Sequence, residues 1–294
     1  MVLKNGFYTA LGTPIENGHI VEESLRKEIR QQIASDAAGM LLLGSMGMQP
    51  SIVAEECAKA ARIASDEVAG RKPLFVGVMD NSIAGVMARI RAMEGLQITG
   101  VVLTTPYYFT ADKPALINYF TSVADASPFP VFLYDLPVAV KQKITYPMVV
   151  ELAKHKNIMG IKTADITMIL QILQRGEVKK EFTPLYSGLD TVDIGYAHGI
   201  THYLDGMFAT TPHTANIMQK YFADGDYAKG NEELQKILLL RDTMAAYDTE
   251  IFSAFTYTMN MLGLDGKFEP DYSLPISDEG RNVLKKMLQD MNEI

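Results

Sequence analysis

Three features of this sequence pair a reactive residue type with a position where it can be used. Lys162 follows the apolar run Ile158–Ile161. A lysine that closes a buried strand is partly desolvated, which disfavours its charged form. A neutral amine adds to a carbonyl and forms an imine. The plain alternative is a lysine that ends a strand and snorkels to solvent. Tyr134 closes the preceding apolar run, Val131–Tyr134. Carbinolamine formation and dehydration need protons moved, and a phenol both gives and accepts one. Its alternative is a core tyrosine with a satisfied hydroxyl. Gly44, Ser45, Met46 and Gly47 form a glycine-flanked turn after a third apolar run. Such a turn can aim backbone N–H groups at an anion such as the carboxylate of a 2-oxo acid. It can equally be a tight connection that needs glycine for its backbone angles.

The elements that must position these residues alternate along the chain. Short apolar runs occur at Phe7–Leu11, Gly39–Leu43, Leu74–Val78, Gly100–Leu103, Val131–Tyr134, Ile158–Lys162, Pro184–Ser187 and Tyr203–Met207. Most are too short for a buried helix and are bounded by Gly or Pro, so they read as buried parallel strands. Amphipathic stretches separate them, among them Glu22–Ser35, Ser51–Val68, Ile83–Glu94 and Tyr146–Lys154. Ser51 is the expected cap of the second helix and Thr145 of the helix that begins Tyr146-Pro147. Eight strands alternating with helices predict an α/β fold, a (β/α)8 TIM barrel. The competing doubly wound sheet lacks its Gly-x-Gly-x-x-Gly turn after the first strand. After about residue 225 the strand pattern stops, and Asp226–Tyr247, Glu250–Gly263 and Ser277–Met291 read as helices. The expected organisation is a barrel over 1–224 and a three-helix region over 225–294 packed on it. In such a barrel the site lies at the C-terminal strand ends, where Ser45, Tyr134 and Lys162 all fall.

Bulk properties narrow the partners. A net charge of −8 without a basic cluster argues against nucleic acid. Cys57 is the single cysteine, which fits a reducing compartment. No segment reads as a signal peptide or a membrane span, so a cytoplasmic protein without membrane attachment is expected. His155, His198, His202 and His213 share no metal-ligand spacing on one helix face. The expected metal is none.

The motifs together resemble a known family, the pyruvate-type class I lyases and synthases that include dihydrodipicolinate synthase, N-acetylneuraminate lyase and the 2-keto-3-deoxy-acid aldolases and dehydratases. The resemblance runs through T-A-L-G-T-P (9–14), T-P-Y-Y (105–108), Y-D-L-P (134–137), G-I-K (160–162) and Y-S-G-L-D (186–190). It implies that Lys162 is the Schiff-base lysine and Tyr134 the proton-relaying tyrosine. It implies that Ser45 binds the substrate carboxylate through its N–H and positions Tyr134. Tyr108 matches a tyrosine that reaches a neighbouring subunit's site, and Gly188 a backbone contact near the substrate. Asp190 matches a residue able to hold a hydroxyl. A homo-oligomer, dimer or tetramer, follows from the same likeness.

Departures from the pattern limit what can be inferred. Met46 and Met48 replace a hydroxyl residue and a glutamate of the usual turn; the N–H of Met46 remains available to the substrate. Val78 and Met79 replace a Thr-Gly pair, while Asn81 is retained. Ala139 stands where dihydrodipicolinate synthases carry an arginine for the aldehyde substrate's carboxylate. Lys141 cannot supply the same guanidinium fork. Thr191 replaces an acid of sialic acid lyases. Met46, Met48, Met79 and Met207 near the mouth suggest a less hydroxylated substrate. Thr163 and Asp165 can contact the distal substrate or cap the next helix at Ile166, and the cap is the favoured reading. The expected activity is a lyase, aldolase or dehydratase acting on a small-molecule 2-oxo acid through a lysine imine, without a cofactor. Dihydrodipicolinate synthase and a non-catalytic small-molecule-binding relative are the alternatives.

Overall fold

Eight apolar segments lie buried on both faces, as strands do when helices cover one side and a filled barrel the other. In the computed structural model, which describes residues 3–248 and 250–294, they are β1 (Gly6–Ala10), β2 (Gly39–Leu42), β3 (Leu74–Gly77), β4 (Gly100–Thr104), β5 (Val131–Asp135), β6 (Ile158–Thr163), β7 (Thr183–Tyr186) and β8 (His202–Asp205). All neighbours are parallel. Each strand pairs with the next, and β8 returns to β1, closing the barrel. This is the (β/α)8 architecture expected from the alternation of apolar runs.

Successive side chains alternate between two environments. Tyr8, Ala10, Leu41, Phe75, Val102, Phe132, Tyr134, Leu185 and Leu204 fill the barrel interior. Their neighbours Leu42, Val76, Val101, Val131 and Ile161 pack outward with the helices. That period of two sends Tyr134 inward, and the β5–β6 register opposes it directly to Lys162. After β8 the chain is helical, at Met207–Thr210, Pro212–Ala223, Tyr227–Tyr247, Phe252–Met261 and Asp278–Asp290. Leu234, Ile237, Leu284 and Leu288 from these helices share a core with Phe7 of β1 and Tyr203 of β8. The fold is therefore a barrel with a C-terminal helical extension. No helix among the described residues is long and apolar enough to cross a membrane.

Among the element ends that depart from expectation, three concern a strand end or a helix entrance near the site. The last strand ends at Asp205, because Met207 already opens a short helix. Ser51 does not cap the second helix. It lies in a single 3-10 turn, Gln49–Ser51, and the helix begins at Ala54 after Val53. Thr145 occupies the capping position before Tyr146, but its side chain accepts no helix amide.

The helix Glu22–Ala34 buries a carboxyl. Glu28 has no exposed surface, and its Oε1 accepts the Gly12 amide at 2.9 Å. Burial pushes its carboxyl from 4.5 up to about 8, with the Gly12 amide pulling it partly back. The protonated form is thus the one the fold prefers. Its stabilising contribution is complete below the unfolded value of 4.5 and is lost as pH rises through the folded value of about 8. At roughly 1.4 kcal/mol per unit, this costs about 3 kcal/mol between pH 4 and pH 7. Glu28→Gln keeps an acceptor for Gly12 and cannot ionise. Urea unfolding should show its advantage over the parent growing steadily from about pH 5 to about pH 8. An advantage independent of pH would refute the assignment.

Candidate active site

β5 and β6 carry Tyr134 and Lys162 to the same depth near the C-terminal mouth. Lys162 is 7% exposed and Tyr134 is 1% exposed. The Lys162 Nζ donates to the Tyr134 hydroxyl oxygen at 2.8 Å and lies 4.1 Å from the centre of the tyrosine ring. On its other side the Tyr134 hydroxyl meets Ser45 Oγ at 2.9 Å, in a contact where either oxygen can be the donor. Three residues distant in sequence thus form one hydrogen-bond chain, from the turn after β2 to the end of β6. When Lys162 donates, the Tyr134 hydrogen turns toward Ser45. A neutral Lys162 can accept from Tyr134 instead, and Ser45 then supplies the compensating hydrogen.

The turn that presents Ser45 is tightly built. Met48 has φ of 52°, its amide donates to the Ser45 carbonyl at 3.0 Å, and the Thr13 hydroxyl donates to the Gly47 carbonyl at 2.8 Å. Met46 is partly buried between the barrel interior and the C-terminal helices, against Ala209, Phe255 and Phe268. Its side chain lies over Gly206, where an added Cβ would come within 2.9 Å of it. The larger residue at 46 is accommodated by the absence of a side chain at 206.

The other expected site residues are placed as follows. Thr163, fully buried, donates to Asp135 Oδ2 at 2.9 Å and accepts the Asp165 amide at 3.0 Å. Asp165 caps the next helix by accepting the Met168 amide at 3.0 Å. Burial opposes its charge, but Lys143 at 2.7 Å and the helix amides outweigh that and hold its carboxyl below the ordinary range. Gly188 lies under the Tyr186 ring, and a Cβ there would overlap the Tyr186 hydroxyl. That hydroxyl is itself bonded to Thr191. Asp190 is exposed, yet both of its oxygens accept from Arg241 at 2.8 Å. The guanidinium holds its carboxyl below the ordinary range. Tyr108 stands apart from the Lys162 chain. It is 70% exposed on the rim beside Phe109, and its amide donates to Asn81 Oδ1 at 2.8 Å. Ala139 is exposed in the short helix Pro137–Val140.

Two charged residues near the site are absent from the sequence-based expectations. Arg241 reaches the mouth from the helix Tyr227–Tyr247, and no local motif marks it. Asp205 ends β8 and accepts the Met207 amide at 2.9 Å. Burial raises its carboxyl's affinity for a proton, against the pull of that amide, Lys162 and Arg241. The one available signal is its position at a strand's C-terminal end.

A closed barrel with a buried lysine and a hydrogen-bonded tyrosine at its mouth fits an enzyme of the Schiff-base-forming lyase and synthase class. The comparisons agree. The model of the dihydrodipicolinate synthetase family matches residues 4–291, and the chain belongs to that family. It is 30% identical over 251 residues to the 4-hydroxy-tetrahydrodipicolinate synthase of Methylobacterium radiotolerans, covering 84% of this chain and 81% of that one. To the 4-hydroxy-tetrahydrodipicolinate synthase of Parvibaculum lavamentivorans it is 27% identical over 260 residues, 88% of each chain. In fold it matches a prophage protein of the dihydrodipicolinic acid synthase family from E. coli K12, solved in complex with pyruvate. The TM-score is 0.89 over the whole of both chains, at 24% identity. The chain is an enzyme of this class.

Proposed function

We propose that the protein is a class I lyase or aldolase that binds pyruvate or a 2-keto-3-deoxy acid as an imine on Lys162. The observation that carries this reading is the Ser45–Tyr134–Lys162 hydrogen-bond chain. The substrate carboxylate lies toward the N–H groups of the Ser45–Met46 turn. Neutral Lys162 attacks C2, and the carbonyl oxygen takes a proton relayed by Tyr134. The carbinolamine then loses that oxygen as water and becomes a protonated imine. Loss of a C3 proton to the Tyr134 relay, or cleavage of the C3–C4 bond as the C4 hydroxyl gives up its proton and the C4 fragment leaves as an aldehyde, leaves the electron pair in the imine as an enamine. Reprotonation of the enamine and addition of water free the amine. Every step uses side chains alone, so the reading requires no metal or organic cofactor. Thr163 acts on Asp135 and the helix entry, and Asp190 contributes to the mouth as an ion pair with Arg241.

Condensation of pyruvate with aspartate semialdehyde is a second reading, favoured by the names of the curated relatives. Against it, Ala139 offers no guanidinium, and Lys143 is already engaged by Asp165 and Asp135. Supplying both compounds and following condensation separates the two readings. The exposed Tyr108–Phe109 pair supports a homo-oligomer.

The test is borohydride reduction with pyruvate, followed by peptide mass mapping. An adduct on the peptide containing Lys162 is expected. An adduct elsewhere, or one that persists in Lys162→Ala, would overturn the proposal.

A further inference from the structure

At the end of β1 the strand ladder stops with the Leu11 amide, which donates to Leu41. The next amide, Gly12, points away from the barrel wall. It is received by Glu28, a carboxyl brought from the neighbouring helix and buried without exposure. Its second oxygen has no partner among the described residues. Burying a carboxyl to satisfy one amide is an expensive arrangement, since a backbone carbonyl or water serves the same amide at lower desolvation cost. What the arrangement fixes is the segment that follows. Thr13 donates to Gly47, and Gly47 is packed so closely that a Cβ on it would stand 2.9 Å from the Leu43 nitrogen and 3.0 Å from Thr13 Oγ1. Gly12 itself faces Phe268 and Phe255 with no room for a side chain. A displacement of Gly12 and Thr13 therefore passes to the turn that holds Ser45 against Tyr134.

We propose that Glu28 is a positioning residue: by holding Gly12 it sets, through Thr13 and Gly47, the place of Ser45 on the Tyr134–Lys162 pair. It touches no substrate. Its influence on chemistry rests on the imine reading, whereas its influence on the geometry of the turn does not.

The variants Glu28→Gln and Glu28→Met separate the role from simple support of the helix. Glutamine keeps the acceptor; methionine keeps the bulk and removes it. Two quantities are read: the rate of borohydride-trappable imine formation with pyruvate, and amide hydrogen exchange over residues 44–49. Ile29→Ala is the control, because it weakens the same helix and leaves the Gly12 contact in place. Glu28→Met should slow trapping about tenfold, in keeping with the sensitivity of reaction rates to sub-ångström misplacement, and should speed exchange in the turn. Glu28→Gln should stay within about twofold of the parent. Ile29→Ala should lose stability without slowing trapping. The proposal fails if folded Glu28→Met traps at the parent rate, or if Ile29→Ala slows trapping as much. Should Glu28→Met not fold, Thr13→Val tests the next link, and parental trapping there overturns the proposal. If the parent itself traps no pyruvate, the imine reading falls. Unchanged exchange of the turn in Glu28→Met would then overturn the positioning role separately.

Discussion

Tyr134→Phe should slow imine formation with pyruvate by about 10²–10⁴-fold, the range typical of a removed general acid–base group. The variant loses one oxygen that serves two partners, Lys162 and Ser45. The ring remains, so barrel packing and the approach of the Lys162 Nζ to it are kept. Removing the hydroxyl cuts the path by which a proton reaches the departing carbonyl oxygen. Pyruvate would still enter, because the turn proposed to receive its carboxylate is unaltered. The loss should fall on the rate of trapping at saturation, with little change in the concentration of pyruvate that half-saturates it. Rapid-quench borohydride trapping over a series of pyruvate concentrations measures both. A saturating rate equal to the parent's would exclude the phenol from the proton path.

Lys162→Met should have the larger effect and a different signature. Trapping and turnover vanish together, since no other amine stands beside Tyr134 in the described site. Folding should survive. Methionine matches the lysine stem in length and replaces a buried amine whose one hydrogen-bond acceptor among the described residues is Tyr134. That phenol keeps Ser45 as a partner, so no buried hydroxyl is stranded. Exchanging a buried polar group for an apolar one of like shape is commonly neutral or stabilising when its partner remains satisfied. The melting temperature should hold or rise by about 2–4 °C for each kcal/mol gained. A variant that unfolds would identify Lys162 as structural. One that folds and still turns over substrate would remove it from the chemistry.

The fold was readable because most barrel strands are buried on both faces and so appear as short, largely apolar runs. Helix entrances were less so: Ser51 has a capping side chain, but the chain makes a further 3-10 turn before the helix starts. Tyr134 and Lys162 could be brought together from sequence because each closes a strand and consecutive barrel strands are neighbours. Arg241 could not, because its contact with Asp190 spans 51 positions and depends on how a C-terminal helix docks. Glu28 was equally hidden. It shares its helix with the acidic residues Glu22 and Glu23, and although it falls on the buried stripe with Leu25, Ile29 and Gln32, nothing in its type separates a buried carboxyl from exposed ones. Asp205 was obscured by the strand boundary, since a run carried on to Met207 hides the acid at the true strand end.

The closure of the barrel also bears on how the chain acquires its structure during synthesis. β1 leaves the ribosome first, yet one of its two partners is β8, the last strand to emerge. The turn after β1 waits longer still, because Gly12 rests against Phe255 and Phe268 from the C-terminal part of the chain. A nascent chain stalled before β8 would expose an open sheet edge at each end and leave the apolar flank of Phe7 uncovered. Ribosome-bound chains of increasing length should therefore remain sensitive to protease until the final helices are released, with protection arriving late and in a single step.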